Sequence, residues 1–190
     1  MNKILYLHGF ASSADSTKAK LIESFIKKNT CSTKILIPNL NNNIKNAYQQ
    51  IEEIIKTESP SSIIGSSLGG FFGTYFAKKY NLLCVNINPA IPPIDMSEYI
   101  GENQNYSTGE KFIIDQDQLE WLETMNKKMK ALKRHKNFLT LIQSGDEILN
   151  YKLAIEYFSA SQIEVIFGGN HSFENFELYL SKIQNFLNLH

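Results

Sequence analysis

Ile63-Ile64-Gly65-Ser66-Ser67-Leu68-Gly69-Gly70 runs into an apolar segment carrying Phe71, Phe72, Tyr75, Phe76 and Tyr80. Two β-branched residues, a Gly-x-Ser-x-Gly pentapeptide and aromatics at helical spacing predict a strand, a sharp turn and a helix. At such a turn Ser67 takes up strained backbone geometry with its hydroxyl exposed above the strand end. Gly65 and Gly69, lacking side chains, let strand and helix approach closely around it. A serine hydroxyl is a poor nucleophile until a base removes its proton, and the new helix N-terminus offers backbone N–H groups to an oxyanion formed beside it. The pentapeptide alone also fits an ordinary glycine-serine turn, so a base and an acid further along the chain must decide between the two.

Outward from this turn, apolar runs alternate with helical periodicity. Upstream, residues 3–7 read as a buried strand, 9–16 as a polar loop, and 17–28 as a helix with Leu21, Ile22, Phe25 and Ile26 on its apolar face. Residues 35–37 form a second strand stopped by Pro38, and an asparagine-rich loop leads to a helix over 44–57. Downstream, strands are predicted at 82–87, 138–142 and 163–167, with helices at 119–133 and 151–158 and a closing helix marked by Phe176, Leu180, Ile183 and Leu187. Asn88-Pro89-Ala90-Ile91-Pro92-Pro93 interrupts regular structure. The irregular segment 94–118, within a broader stretch of about 91–118, reads either as a lid or cap over a site or as a solvated connection. Alternation of this kind implies a mostly parallel sheet with helices on both faces, in a single domain spanning 1–190.

Composition narrows the function classes. With 43% hydrophobic residues and 190 positions, the chain can bury a sizeable core. Lys plus Arg balances Asp plus Glu at 19 each, so no global field favours nucleic acid or an acidic membrane. No obligate protein partner is indicated. Cys31 and Cys84 lie far apart, and the N-terminal apolar run is too short for a signal core or a membrane span, which predicts a cytoplasmic protein. No His or Cys pair recurs at ligand spacing, so neither a metal nor a cofactor is expected.

The remaining chemistry sits at two strand-to-loop junctions, Ser144-Gly145-Asp146-Glu147 and Gly168-Gly169-Asn170-His171-Ser172. In a parallel sheet the C-terminal strand ends share one edge, so Ser67, Asp146 and His171 converge there despite their separation. Nucleophile, acid and base in that order match the α/β-hydrolase arrangement. Asp146 is preferred to Glu147 because a short carboxylate best fixes an imidazole tautomer, and Glu147 is left to solvent. Among the other histidines, His135 lies in the basic run Lys133-Arg134-His135-Lys136, His190 is terminal, and His8 is read as shaping its loop. Oxyanion donors are expected from the backbone N–H groups of Leu68 and Phe10, a role compatible with a core position for the Phe10 ring.

Taken together, Leu5-Tyr6-Leu7-His8-Gly9-Phe10 with Ser12-Ser13 and Lys18-Ala19, the Ser67 turn, Asn88-Pro89-Ala90, Tyr99-Ile100-Gly101, Thr108-Gly109, Gly145-Asp146-Glu147 and Gly168-Gly169-Asn170-His171 resemble the small bacterial YqiA-like esterases. The resemblance runs from the first strand to the last helix. It implies a compact α/β-hydrolase fold with a short lid segment, lacking much of the usual N-terminal sheet. It also implies a serine esterase acting on small-molecule acyl esters, with Ser67 as nucleophile, Asp146 as acid and His171 as base. An acyl-CoA thioesterase using the same triad and a non-catalytic binding protein of the same fold are the alternatives.

Overall fold

The computed structural model describes residues 2–93, 96–131 and 136–189. Six parallel strands build one sheet: β1 (Asn2–Leu7), β2 (Thr33–Leu36), β3 (Ser62–Ser66), β4 (Leu83–Ile87), β7 (Phe138–Gln143) and β8 (Gln162–Ile166), in the spatial order β2-β1-β3-β4-β7-β8. Successive side chains along β1 go to opposite faces, as strand geometry requires. Leu5 and Leu7 join one hydrophobic cluster, whereas Ile4 and Tyr6 join the other. The first cluster packs under α2 (Ile44–Glu58), α3 (Leu68–Tyr80) and α4 (Gln116–Ala131). The second packs under α1 (Thr17–Asn29) and α6 (Leu180–Phe186). A short α5 (Tyr151–Tyr157) precedes β8.

Local sequence explains most of these elements. In α2, Ile44, Ala47, Ile51 and Ile55 are buried at spacings of three and four, and the Asn43 side chain caps the helix by accepting from the N–H groups of Lys45 and Asn46 at 3.0 and 3.1 Å. The central α3 is buried nearly all round, which accounts for its dense run of aromatics. Its N-terminus is held against the central strands, and that position sets the site.

The stretch expected to be irregular is not a plain connection. It holds an antiparallel hairpin, β5 (Gly101–Gln104) paired with β6 (Lys111–Ile114), preceded by a 3₁₀ turn at Ser97–Tyr99, and α4 begins at Gln116 rather than Leu119. Buried Asn105 organises the hairpin tip. Its Nδ2 donates to the Ser12 carbonyl and to Asn42 Oδ1, while its Oδ1 accepts from the N–H groups of Ser107 and Thr108. The Tyr106 N–H donates to the Ala11 carbonyl, and the Ser13 and Ser107 hydroxyls lie 2.6 Å apart. The hairpin is thereby fastened to the loop after β1. The expected closing helix is divided into a 3₁₀ turn (Phe176–Tyr179) and α6. The end of the 119–133 helix beyond Ala131, most of the basic run around His135, and His190 lie outside the described residues.

Candidate active site

The C-terminal edge of the sheet brings the predicted residues together. Ser67 occupies the turn between β3 and α3 with φ 55° and ψ −123°, a sparsely populated conformation for a residue with a side chain. β4, the loop after it and the first turn of α3 hold it there: its N–H donates to the Ile87 carbonyl, and its own carbonyl accepts from the N–H groups of Gly70 and Ala90. Gly69 lies so close to β1 that a Cβ would overlap the Leu7 carbonyl oxygen and sit 2.5 Å from that of His8.

His171 spans the other two predicted residues. Its Nε2 lies 3.0 Å from Ser67 Oγ, and its Nδ1 lies 2.8 Å from Asp146 Oδ2. With the Asp146 carboxylate accepting from Nδ1–H, Nε2 is left as the acceptor for the serine proton. The Asp146 side chain is 2% exposed and that of His171 is 18% exposed, so the carboxylate is buried and the imidazole faces the cavity. The second Asp146 oxygen accepts from the N–H groups of Ile148 and Leu149 at 2.9 and 2.8 Å, which fixes the carboxylate plane.

Leu68 opens α3, so its N–H has no acceptor in a preceding helical turn. The loop after β1 approaches from the other side, where a Cβ at Gly9 would lie 3.1 Å from Ser67 Cβ. Phe10 therefore follows a glycine packed closely against Ser67. Its ring meets Tyr99 and Phe112 edge-on at 5.3 and 5.6 Å, so a packing role for the ring accompanies the expected backbone role. A cavity of about 340 Å³ opens onto Ser67 and His171, walled by Phe10, Leu68, Met96, Tyr99 and Tyr106. Its size is at the lower end for small-molecule pockets.

Three supporting residues were not foreseen. Buried Asn88 donates from Nδ2 to the carbonyls of Asn170 and His171 and accepts the Gln143 N–H. Buried Gln143 in turn accepts at Oε1 from the N–H groups of Asn170 and Glu174. These two side chains hold the loop that carries His171. Glu147 is exposed, yet it is more than a solvated neighbour, because its Oε2 accepts the His171 N–H at 2.9 Å. A usable signal existed for Asn88 and Gln143: both are polar residues at the C-terminal ends of strands next to candidate site residues.

His8 shapes its loop, as expected. The Leu40 N–H donates to its Nε2 at 2.9 Å, which requires Nδ1 to carry the proton facing the Gly9 carbonyl. Burial lowers its pKa from the ordinary histidine value. As pH falls through about 6.5, the unfolded chain takes up a proton that the native ring resists, and stability falls with it. His8→Gln, which keeps an acceptor for Leu40, is expected to lose less stability between about pH 7 and about pH 5 than the native chain. Urea unfolding midpoints at each pH give the comparison, and equal losses would remove His8 as the source.

The architecture is that of the α/β hydrolases. It is similar to Est1E from Butyrivibrio proteoclasticus, solved with ferulic acid bound, at 14% identity and TM-score 0.71 over 99% of this chain and 88% of that one. It is also similar to the esterase domain of a Rhodothermus marinus protein, at 17% identity and TM-score 0.66 over 97% and 85% of the two chains. Mouse alpha/beta hydrolase domain-containing protein 10 matches at 17% identity and TM-score 0.66 over 98% of this chain and 89% of that one. At such identities the likeness is one of fold. Sequence supplies the nearer relation: a family model matches residues 3–188, and the chain belongs to the uncharacterised protein family UPF0227.

Proposed function

We propose that the protein is a serine esterase that hydrolyses carboxylic esters through an acyl-enzyme. The observation that carries this reading is the imidazole of His171 placed 3.0 Å from Ser67 Oγ and 2.8 Å from Asp146 Oδ2 at the edge of a cavity. His171 Nε2 takes the Ser67 proton as Oγ attacks the ester carbonyl carbon. Asp146 stabilises the imidazolium that forms, and the N–H groups of Leu68 and Phe10 receive the oxyanion. Collapse of the tetrahedral species breaks the bond to the alcohol oxygen, which takes the proton back from His171. Water, deprotonated by the same imidazole, then attacks the acyl carbon; collapse breaks its bond to Ser67 Oγ, which takes the proton from His171, and the acid leaves. The apolar wall formed by Phe10, Leu68, Met96 and Tyr99 suits an acyl chain.

A fluorophosphonate probe tests the nucleophile apart from the choice of substrate. Labelling at Ser67, identified by peptide mass spectrometry and absent in Ser67→Ala, is the expected result. An unlabelled protein that also hydrolyses no p-nitrophenyl ester would instead be a binding protein of hydrolase fold.

A further inference from the structure

Lys18 stands where two cavities meet. It lines the cavity containing Ser67 and His171 and also an outer groove of about 620 Å³, and the two share Ser12, Ser16, Tyr106 and Ser172. Its Nζ donates to the Ser172 carbonyl at 2.8 Å, and among the described residues it has no carboxylate partner. Nearby Asp15 is engaged by Lys20 instead, at 3.4 Å. An ammonium has three donors, so two remain for a ligand. Lys18 also occupies the first turn of α1, where the helix dipole is positive and the sequence supplies no acidic residue. A cation is disfavoured there, and a bound anion would reverse that cost. Partial burial adds to it and lowers the lysine pKa from its ordinary value.

The chemistry proposed above fixes which half of the ester reaches this point. His171 must hand its proton to the departing alcohol oxygen, so the alcohol portion lies on the His171 side of the site. Lys18 is bonded to Ser172, the very next residue. Resting on the esterase reading, we propose that Lys18 determines specificity by recognising a carboxylate or phosphate on the alcohol portion of the substrate. Asp15, Glu174 and Glu177 line the outer groove beyond it. Those carboxylates repel an extended polyanion, so the anionic group is single and close to the ester oxygen.

Two matched pairs test this: 3-acetoxybenzoate against 3-acetoxybenzamide, and 3-acetoxyphenyl phosphate against its dimethyl ester. Each kcat/KM is divided by the rate constant for hydroxide attack, so that intrinsic reactivity cancels. The native chain is expected to favour the anionic member of at least one pair by about tenfold or more, since hydrogen bonds to charged groups are among the stronger ones. The pair showing the preference identifies the anion. Lys18→Met should bring that ratio close to one, and Lys18→Arg should retain most of it. A native ratio near one in both pairs overturns the assignment. So does an unchanged ratio in Lys18→Met with all rates lowered alike, because Lys18 would then only prop the Ser172 loop. The neutral esters monitor the underlying chemistry: their turnover with no anion preference defeats the Lys18 role alone, whereas no turnover of any ester defeats both readings.

Discussion

Ser67→Ala should lower kcat for p-nitrophenyl butyrate hydrolysis by roughly five to six orders of magnitude, and His171→Ala by a similar factor. On the proposed mechanism one proton path joins Ser67 Oγ and His171 Nε2, which lie 3.0 Å apart: without the hydroxyl there is no attacking atom, and without the imidazole the hydroxyl keeps its proton. The losses should not add. A Ser67→Ala, His171→Ala double variant is expected to match either single one, because the two groups act as a unit. Asp146→Ala should cost about four orders of magnitude, less than its partners, since the imidazole survives but loses its orientation and the stabilisation of its charge. The assay is initial-rate hydrolysis with circular dichroism to confirm folding. Activity within tenfold of native in Ser67→Ala would dismiss this residue as the nucleophile, and additive losses in the double variant would dismiss the relay.

The largest expected effect on stability comes from a single methyl group. Gly69→Ala gains about 1 kcal/mol in intrinsic helix propensity. Against that gain, the new Cβ overlaps the Leu7 carbonyl oxygen and meets that of His8, backbone atoms at the end of a buried strand that have no rotamer by which to escape. Overpacking in a rigid environment typically costs 1–3 kcal/mol and occasionally more, so the steric term wins. Net destabilisation of about 2 kcal/mol or more is expected from urea unfolding. Turnover should fall as well, since relief requires α3 to withdraw and Ser67 stands at its N-terminus. A change within about 0.5 kcal/mol would show that the close packing at this turn is not rigid.

The parts legible in the sequence are those whose cause is local. Ile63 and Ile64 before a glycine-flanked serine announce a strand and turn within eight residues, and the order Ser67, Asp146, His171 follows from where strands end. Glu147 was separable from Asp146 by side-chain length, but its bond to the His171 N–H was not, because it depends on how two loops meet in space. The same holds for Asn88, which reaches Asn170 and His171 across more than eighty positions. Hairpin strand β5 was missed for a different reason. Gly101-Glu102-Asn103-Gln104 has no β-branched or aromatic residue, so nothing intrinsic marks it as a strand. Its pairing with Phe112, Ile113 and Ile114 and the anchoring of the tip through Asn105 impose the conformation from outside the segment.

That anchoring divides labour within the molecule. Ser67, Asp146 and His171 stand at the sheet edge, held by bonds from neighbouring strands and loops, whereas Tyr99, Asn103, Gln104 and Tyr106 reach the cavity from the hairpin and the turn before it. The hairpin tip is tied to the loops after β1 and β2 through backbone groups of Ser12 and Ala11 and the side chains of Ser13 and Asn42. Keeping Asn105 and Ser107 while exchanging the cavity-facing residues therefore rewrites the pocket wall and leaves the contacts among Ser67, His171 and Asp146 untouched. The hairpin is in this sense an exchangeable cassette: its cavity-facing side chains can be swapped without moving the sheet edge that carries Ser67, Asp146 and His171.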